Sequence, residues 1–507
     1  MAPRPTGIAM SESLRPVSKL ETGIAGLDQI TLGGLPEGRT TLVAGSTGTG
    51  KTQLALEFLI RGMEQYDQAG VFVTFEERPE DIRRNAAAFG MDIESWEAAG
   101  KWAFVDASDE GDEPNVVVGG YDLGGLVSRV AYAVRRVSAA RVCFDSLGAV
   151  FGRFADVGVV RFELKRAADA LREMNVTSIL TAERTDEYGA ISRFDVEEFV
   201  ADNVVLLRNV LEKEKRRRTV EVLKQRGSPH RTGEWVFTID PEQGLVVLPL
   251  SVQVSDQPAS TERVTTGIDE LDQMLDGGIY RDTVALAAGP TGTGKTLLAT
   301  HFIAAGVDAG ERCLLFTFED SRDQLFRNTN SWDLDLEAME ATGTLQIICE
   351  YPELASLEDH FLSLKKAIDD FKPDRLVVDN ISALERVATA RGMRDTAIGL
   401  GAYVKQHGVT TLFTASSDLV GGSSITESHL STLTDVIVLL RYVELEAEMR
   451  RSVTVLKMRG SSHDRLIREY VIDDQGMRIG EPLAGASGVI LPSVAAGHGA
   501  GAPSSNG

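Results

Sequence analysis

The chain has 507 residues, 43% of them hydrophobic and 25% charged, and a formal net charge of −23 at pH 7. This composition is typical of a soluble globular protein, and no apolar run approaches the roughly 18 residues of a membrane span. The acidic balance argues against a general affinity for nucleic acid, which needs clustered Lys and Arg. The N-terminus has no apolar signal core, and Cys143, Cys313 and Cys349 lie far apart. We therefore expect a cytoplasmic protein with free thiols and no membrane contact.

The chain repeats itself, which predicts two domains. TGIAGLDQITLGGLPEG begins at Thr22, and TGIDELDQMLDGGIYRD begins 244 residues later, at Thr266. A stretch rich in Pro, Ser and Gln separates the two halves, and the chain ends in Ala, Gly, Ser and Pro with almost no charge. The predicted organisation is a flexible arm over 1–18, a first domain over 19–247, a linker over 248–263, a second domain over 264–483 and a disordered tail over 484–507.

The strongest motif is a phosphate-binding loop (P-loop) that occurs once in each half. GSTGTGKT and GPTGTGKT both satisfy G-x-x-x-x-G-K-S/T, and each follows an apolar strand and precedes a helical pattern. The glycines let backbone N–H groups surround a polyphosphate, the Lys reaches its outer phosphates, and the Thr hydroxyl binds Mg²⁺. The predicted nucleotide-binding residues are Gly45, Ser46, Thr47, Gly48, Thr49, Gly50, Lys51 and Thr52 in the first copy and Gly289, Pro290, Thr291, Gly292, Thr293, Gly294, Lys295 and Thr296 in the second.

Strand and helix patterns alternate within each half. This order predicts an α/β fold with a mainly parallel sheet and helices on both faces. VFVTFEE and LLFTFED are apolar strands that end in acidic pairs, and carboxylates at the carboxyl end of such a strand point into the nucleotide crevice. The candidate catalytic residues are therefore Glu76, Glu77, Glu319 and Asp320.

Another apolar strand in each half ends in a single Asp. RVCFDS and RLVVDN are predicted Walker B strands, and they place Asp145 and Asp379 at their carboxyl ends. We expect these carboxylates to hold Mg²⁺, directly or through water, together with the P-loop residues Thr52 and Thr296.

A third repeated stretch carries two cations. LKQRGSPH begins at Leu223 and LKMRGSSH begins at Leu456. A strand presents alternate residues on one face, so each copy offers a Lys and an Arg together, which suits a triphosphate. The alternative is a solvated edge strand guarded by charge, but recurrence in both halves favours phosphate binding. The predicted residues are Lys224, Arg226, His230, Lys457, Arg459 and His463.

These motifs, together with ITESHLSTLTD at Ile425–Asp435, resemble the KaiC family of circadian clock ATPases and autokinases over about residues 19–480. The resemblance implies two tandem RecA-like domains that stack as a homohexameric double ring. ATP and Mg²⁺ would bind between neighbouring chains, with the Lys/Arg strand contributed in trans. It also implies slow ATP hydrolysis in the first ring, and autophosphorylation and dephosphorylation in the second. The implied phospho-acceptors are Ser431 and Thr432, with Thr426 as an accessory hydroxyl.

The sequence itself supports this division of labour. When the final strands of the two halves are aligned, Ser431 lies opposite Glu198 and Thr432 lies opposite Phe199, so the first half has no acceptor at this place.

The acidic pairs receive roles in the implied mechanism. Glu76 or Glu77 would orient and partly deprotonate water in the first domain, and Glu319 would act on a Ser or Thr hydroxyl in the second. Asp320 stands where the family usually has Glu and reaches less far, and Asn380 stands where it has Ser.

The resemblance also implies partners. VVVGGYDLGGLVSRV at Val116–Val130 resembles the region on which the partner KaiB docks, so we expect a KaiB-like protein on the first domain. The family's other partner, KaiA, grips a charged tail. The chain beyond about Glu481 has no Asp, Glu, Lys or Arg, so we expect no KaiA-type binding there.

Two other functions stay open at the level of sequence. One is a RecA-like DNA-dependent ATPase, but GGSSITESH and RTDEYGAISRF, where such proteins carry DNA loops, hold few Lys or Arg and no stacking aromatic pair. We therefore expect no nucleic acid partner. The other is a nucleotide-gated signalling scaffold without kinase activity. The sequence has no protein-kinase signature, so any phosphoryl transfer would be of the P-loop type.

Overall fold

The computed structural model describes residues 17–108, 124–146, 157–189, 201–212, 215–248, 260–416, 433–445 and 447–483. The chain divides into two compact units, Met1–Pro249 and Leu250–Gly507. The predicted arm, linker and tail lie largely outside the described residues.

Strands and helices alternate in the first unit. Its described strands are β1 (Lys19–Leu20), β2 (Leu35–Pro36), β3 (Thr40–Gly45), β4 (Gly70–Thr74), β5 (Trp102–Asp106), β6 (Arg141–Asp145), β7 (Thr177–Glu183), β8 (Asn203–Glu212), β9 (Lys215–Gln225), β10 (Glu234–Asp240) and β11 (Gly244–Leu248). Its described helices are α1 (Leu27–Ile30), α2 (Lys51–Tyr66), α3 (Pro79–Ala87), α4 (Ile93–Ala98), α5 (Gly124–Val137) and α6 (Val157–Glu173).

The second unit repeats this order. Its described strands are β12 (Arg263–Val264), β13 (Ile279–Tyr280), β14 (Val284–Gly289), β15 (Cys313–Thr317), β16 (Leu345–Cys349), β17 (Arg375–Asp379), β18 (Thr410–Ser416), β19 (Val436–Leu445), β20 (Glu448–Met458), β21 (Arg468–Asp473) and β22 (Gly476–Pro482). Its described α-helices are α7 (Asp269–Met274), α8 (Lys295–Asp308), α9 (Arg322–Asn330), α10 (Leu336–Ala341), α11 (Leu357–Phe371) and α12 (Ala390–Gln406).

A nine-stranded sheet organises each unit. The strand order is β11-β10-β9-β8-β3-β7-β6-β4-β5 in the first unit and β16-β15-β17-β18-β14-β19-β20-β21-β22 in the second. In each sheet six strands run parallel, and the other three continue from them in antiparallel pairs. The predicted α/β class, with two tandem RecA-like domains and mainly parallel sheets, is confirmed.

The strand before each P-loop lies inside its sheet and is buried on both faces. All residues of β3, TTLVAG, and of β14, VALAAG, are buried. Leu42 belongs to one core cluster, to which α5 contributes Val130, whereas Val43 belongs to another, to which α2 contributes Phe58. Helices cover both faces of the sheet, which explains why these strands read as continuous apolar runs.

A buried arginine connects each Walker B strand to its surroundings. Arg141 begins β6 and donates to the carbonyl oxygens of Glu21 and Phe58, both at 2.7 Å. Gly62 on α2 makes room for the guanidinium, because a Cβ there would lie 2.4 Å from Arg141 Nε. Arg375 takes the same place at the start of β17 and is only 2% exposed. These arginines fix the first strand of the repeat and the P-loop helix against the sheet.

Candidate nucleotide-binding sites

Each P-loop connects a central strand to a long helix, as its motif predicts. Gly45 ends β3 and Lys51 begins α2, and the second loop joins β14 to α8 in the same way. Gly48 and Gly50 have φ angles of 78° and 95°. A side chain would be strained in this left-handed region, so the turn requires glycine. The N-terminus of the helix faces the loop, where its unpaired N–H groups favour an anionic phosphate.

The lysine of each P-loop lies within its own loop. Lys51 Nζ donates to Gly45 O at 3.0 Å and to Ser46 O at 2.9 Å. Lys295 Nζ makes the same two contacts in the second loop, at 2.9 and 3.0 Å. Burial lowers the pKa of both ammonium groups, and neighbouring carboxylates oppose that shift.

The first Walker B carboxylate contacts the P-loop directly. Thr52 Oγ1 donates to Asp145 Oδ2 at 2.8 Å. Thr181, on the neighbouring strand β7, donates to the other carboxylate oxygen. A hydroxyl and a carboxylate in contact form an oxygen donor set of the kind that Mg²⁺ prefers. Sequence reasoning missed Thr181, although a hydroxyl inside the apolar strand TSILTAE is a usable signal.

The second Walker B carboxylate repeats this arrangement at greater depth. Asp379 is 5% exposed and accepts a hydrogen bond from Thr414 on β18, and Thr296 of the P-loop lies close enough to its carboxylate to affect the pKa. Burial raises the pKa of Asp379, while the hydroxyls of Thr414 and Thr296 lower it. Both predicted metal pairs, Thr52 with Asp145 and Thr296 with Asp379, are therefore brought together.

The two acids that follow β4 point to different places. Glu76 Oε1 accepts a hydrogen bond from Ser146 Oγ at 3.3 Å, beside the end of the Walker B strand. Burial raises the pKa of Glu76, and the nearby carboxylates of Glu183 and Asp145 raise it further. Glu77 instead accepts from Asn85 Nδ2 on α3 at 3.1 Å. Of the predicted pair, Glu76 is the one that lies beside Asp145.

The acids that follow β15 are arranged similarly. Asn380 Nδ2 donates to Ser416 Oγ at 2.6 Å and reaches Glu319 Oε2 at 3.4 Å. Glu319 thus lies beside its Walker B strand, as Glu76 does. Burial raises the pKa of Asp320, and the charge of Glu319 adds to this shift.

The repeated Lys/Arg stretches lie away from the P-loop of their own unit. Lys224 pairs with Val204 on β8, which pairs with Leu42 on β3. Leu42 comes three residues before Gly45, which corresponds to about 10 Å of strand. The Lys224 ammonium donates to Ala201 O, before the start of β8, at 2.8 Å. It therefore points to the amino end of the parallel strands, opposite to the P-loop.

The second copy has the same geometry. Lys457 Nζ donates to Thr434 O at 2.7 Å, and Arg459 lies 3.6 Å from Asp435. His463 lines a cavity of about 440 Å³ formed with β19 and β20. One expectation was wrong in detail: β9 and β20 end one residue before the arginines, so Arg226 and Arg459 extend from the turns that follow.

Some predicted residues lie outside the described ranges. These are the phospho-acceptors Ser431 and Thr432, the accessory Thr426, and most of the expected docking region at Val116–Val130. Cys143, Cys313 and Cys349 are described and free, as predicted. Within the described residues, no helix has the length and apolar character needed to cross a membrane.

The fold and the two repeated sites define a tandem P-loop protein with two RecA-like domains. A family model described as "ATPase: KaiC" matches residues 20–252 and 264–484. The chain belongs to the KaiC family.

Relatives of this chain are named as clock proteins. The chain is 53% identical over 476 residues to "Circadian clock protein KaiC3" from Synechocystis sp., and the match covers 94% of each chain. It is 49% identical over 480 residues to "Circadian clock oscillator protein KaiC" from Thermostichus vulcanus, covering 94% of this chain and 92% of that protein. It is 50% identical over 461 residues to "Circadian clock oscillator protein KaiC 1" from Synechocystis sp., covering 91% of this chain and 88% of that protein.

Proposed function

We propose that this protein is a KaiC-like timing protein whose first unit hydrolyses ATP and whose second unit phosphorylates and dephosphorylates its own chain. The observation that carries the proposal is one site built twice. In both units the P-loop Thr lies beside the Asp that ends the Walker B strand, hydrogen-bonded to it in the first unit, and an acid lies beside that strand. The clock role is supported by the relatives, which are named as circadian clock proteins.

The residues present fit MgATP. A glycine-rich turn, a buried Lys and a helix N-terminus suit the phosphates, and the Thr–Asp pairs suit a hard divalent cation. Thr52 with Asp145, and Thr296 with Asp379, would hold Mg²⁺. When bound, the ion neutralises charge on the β and γ phosphates.

In the first unit Lys51 draws charge from the phosphate oxygens, and Glu76 accepts a proton from the attacking water, with Glu77 as a second candidate. In the second unit Lys295 has the role of Lys51, and Glu319 accepts the proton of a hydroxyl. Support comes from the place of Glu76 and Glu319 beside the Walker B strands. Asp320 follows Glu319, but its side chain is shorter than that of Glu, so Glu319 is the proposed base.

Each ATP lies between neighbouring chains of a homohexamer in this proposal. Lys224 and Arg226 extend from the end of the sheet opposite to their own P-loop, so they suit a phosphate bound by another chain. Lys457 and Arg459 do the same in the second unit. His230 and His463 follow these cations in the sequence and are further candidates for phosphate binding in this proposal.

The phospho-acceptors in this proposal are Ser431 and Thr432, which precede Asp435 and the start of β19. A phosphate adds a charge of about −1.5 to −2, which can bias packing between chains. We also propose that a KaiB-like partner binds the first unit. The tail is not captured by a KaiA-type partner in this proposal.

The test incubates the full chain with Mg²⁺ and ATP, and measures both ADP release and phosphopeptides by mass spectrometry. We expect phosphate on Ser431 and Thr432. Lys295→Ala should abolish it while ADP release continues, because Lys51 is intact. ADP release without phosphate on either residue would overturn the kinase half, and strong stimulation by single-stranded DNA would favour a recombinase-like ATPase instead.

A further inference from the structure

The two units differ in charge at one position beside the P-loop. Glu183 ends β7 and pairs with Gly45, and Ser416 ends β18 and pairs with Gly289. The register is the same in both sheets, so these residues occupy the same place relative to their loops. β7 and β18 each lie between the P-loop strand and the Walker B strand. This place is therefore within the row of strand ends that forms the site.

Glu183 contacts the first P-loop. Thr47 Oγ1 donates to Glu183 Oε1 at 3.2 Å, and the next residue, Arg184, donates its backbone N–H to Gly45 O at 3.1 Å. Glu187, four residues after Glu183, accepts hydrogen bonds from Ser46 of the loop and from the backbone of Asn209. The Thr47 contact places the carboxylate of Glu183 at the mouth of the loop, and the contacts of Arg184 and Glu187 hold the segment that follows β7 against the same loop.

The second unit uses the equivalent position differently. Ser416 Oγ accepts a hydrogen bond from Asn380 Nδ2 at 2.6 Å, and Asn380 also reaches Glu319. A neutral hydroxyl and an amide thus stand where the first unit has a carboxylate and Ser146. Consistent with this difference, Glu183 is the carboxylate that most strongly opposes the lowered pKa of Lys51, whereas Asp379 and Glu319 are those that act on Lys295.

We propose that Glu183 is a water-positioning residue that makes the first site hydrolytic, and that Ser416 leaves the second site suited to a hydroxyl of the chain. This inference rests on the proposed function. In the first site the water oxygen forms a bond to the γ-phosphorus while the bond from phosphorus to the β–γ bridging oxygen breaks, and ADP leaves with that electron pair. One water proton passes to Glu76. Glu183 accepts a hydrogen bond from the other O–H, which stays on the product phosphate.

The position of the Glu183 carboxylate explains why the first site would use water and not a hydroxyl of the chain. A carboxylate at the end of β7 orients a small donor with two O–H groups, and water is such a donor. A Ser or Thr hydroxyl has one proton, which the base takes, so a second carboxylate has nothing to accept and repels the phosphate. Ser416 avoids that repulsion.

The first experiment measures ATP hydrolysis by Glu183→Gln in a Lys295→Ala background, which isolates the first site. We expect kcat to fall at least tenfold while KM for ATP changes less than threefold. The rise of kcat with pH on the acid side should also change, and Glu183→Asp should recover part of the rate. The matched control is Glu64→Gln, which removes an exposed charge near the far end of α2 and should leave kcat unchanged.

The second experiment places a carboxylate at the equivalent position of the second site. In a Lys51→Ala background, Ser416→Glu should raise ADP release from the second site at least threefold and lower phosphate incorporation into the chain. Unchanged kcat in Glu183→Gln, or a loss of fluorescent ATP-analogue binding in parallel with kcat, would overturn the inference while leaving the proposed function intact. A wild-type chain without ATP turnover would overturn both.

Discussion

Glu57 and His301 occupy the same position on the two P-loop helices, and each accepts a hydrogen bond from the last strand of its own unit. Leu245 N donates to Glu57 Oε1 at 2.7 Å, and Met477 N donates to His301 Nε2 at 3.4 Å. In each unit a glycine precedes the donor, and a Cβ there would lie within 2.6 Å of the acceptor side chain. The same connection therefore uses an acid in one unit and an imidazole in the other. The two units should respond to pH in opposite directions.

For the first unit we predict that Glu57→Gln is stabilising at neutral pH. Burial raises the pKa of Glu57 above the usual 4.5, although Gln53 and the backbone of Leu245 donate hydrogen bonds to it. Its stabilising contribution is thus present below pH 4.5 and is lost as pH rises through the folded pKa. Glutamine keeps the acceptor and removes the buried charge. Calorimetry should give a higher Tm for the variant at pH 8, with the difference shrinking towards pH 4.5; a less stable variant at pH 8 would contradict this.

For the second unit we predict a loss of stability on acidification. Burial lowers the pKa of His301 from 6.5, so the neutral imidazole contributes stability above pH 6.5 that is lost as pH falls through the folded pKa. His301→Gln should remove this dependence. The measurement is hydrogen exchange of peptides from β22 between pH 7.5 and 5, corrected for intrinsic rates. Equal pH dependence in the variant and the wild type would exclude His301 as the cause.

The sequence predicts the parts of the site whose chemistry requires particular residues at short spacing. The P-loop needs glycine, Lys and Thr within eight positions, and the acids at Glu76 and Glu319 directly follow apolar strand patterns. Alternating strands and helices predict the parallel sheet because a parallel connection needs a crossover helix. These features can be predicted because each depends on residues that are close together in the sequence.

Contacts between distant strands could not be predicted in this way. Thr181 lies 36 residues from Asp145, and the two meet because β7 is inserted between β3 and β6, an order that the sequence does not reveal. The direction of Lys224 is a second example. The antiparallel return of β9 carries it to the end of the sheet opposite to the P-loop, whereas its motif indicates only that cations are present.

We predict that Arg375→Met destabilises the second unit by about 3 kcal/mol, which is the lower end of the range for breaking a buried ion pair. Arg375 pairs with Glu311 and donates to the carbonyls of Thr265 and Phe302, so the variant leaves these acceptors without it. The control is Arg281→Met, which removes the other, more exposed partner of Glu311 and should cost under about 1 kcal/mol. Hydrogen exchange of β17 peptides measures both, and equal effects would contradict the role of burial.

We predict that the first-unit cations act in trans. A Lys224→Ala/Arg226→Ala chain and a Lys51→Ala chain should each lose most ATP hydrolysis. When the two are mixed and assembled with MgATP, a quarter of the contacts in a random ring pair an intact P-loop with intact cations, so about a quarter of the activity should return. Mass photometry should show six chains. Failure of the mixture to recover, in rings that do contain both chains, would place the cations in cis.

We predict that Glu319→Gln lowers phosphate incorporation about 100-fold or more, the usual contribution of a positioned base. The amide keeps the size of the side chain and its place near Asn380, but it cannot accept the hydroxyl proton. Asp320→Asn is the matched control, because Asp320 follows in sequence and its pKa is raised by burial and by Glu319. It should lower incorporation less than tenfold. ADP release by the first unit should continue in both variants, since Lys51 and Glu76 are unchanged. A larger loss in Asp320→Asn than in Glu319→Gln would assign the base to Asp320.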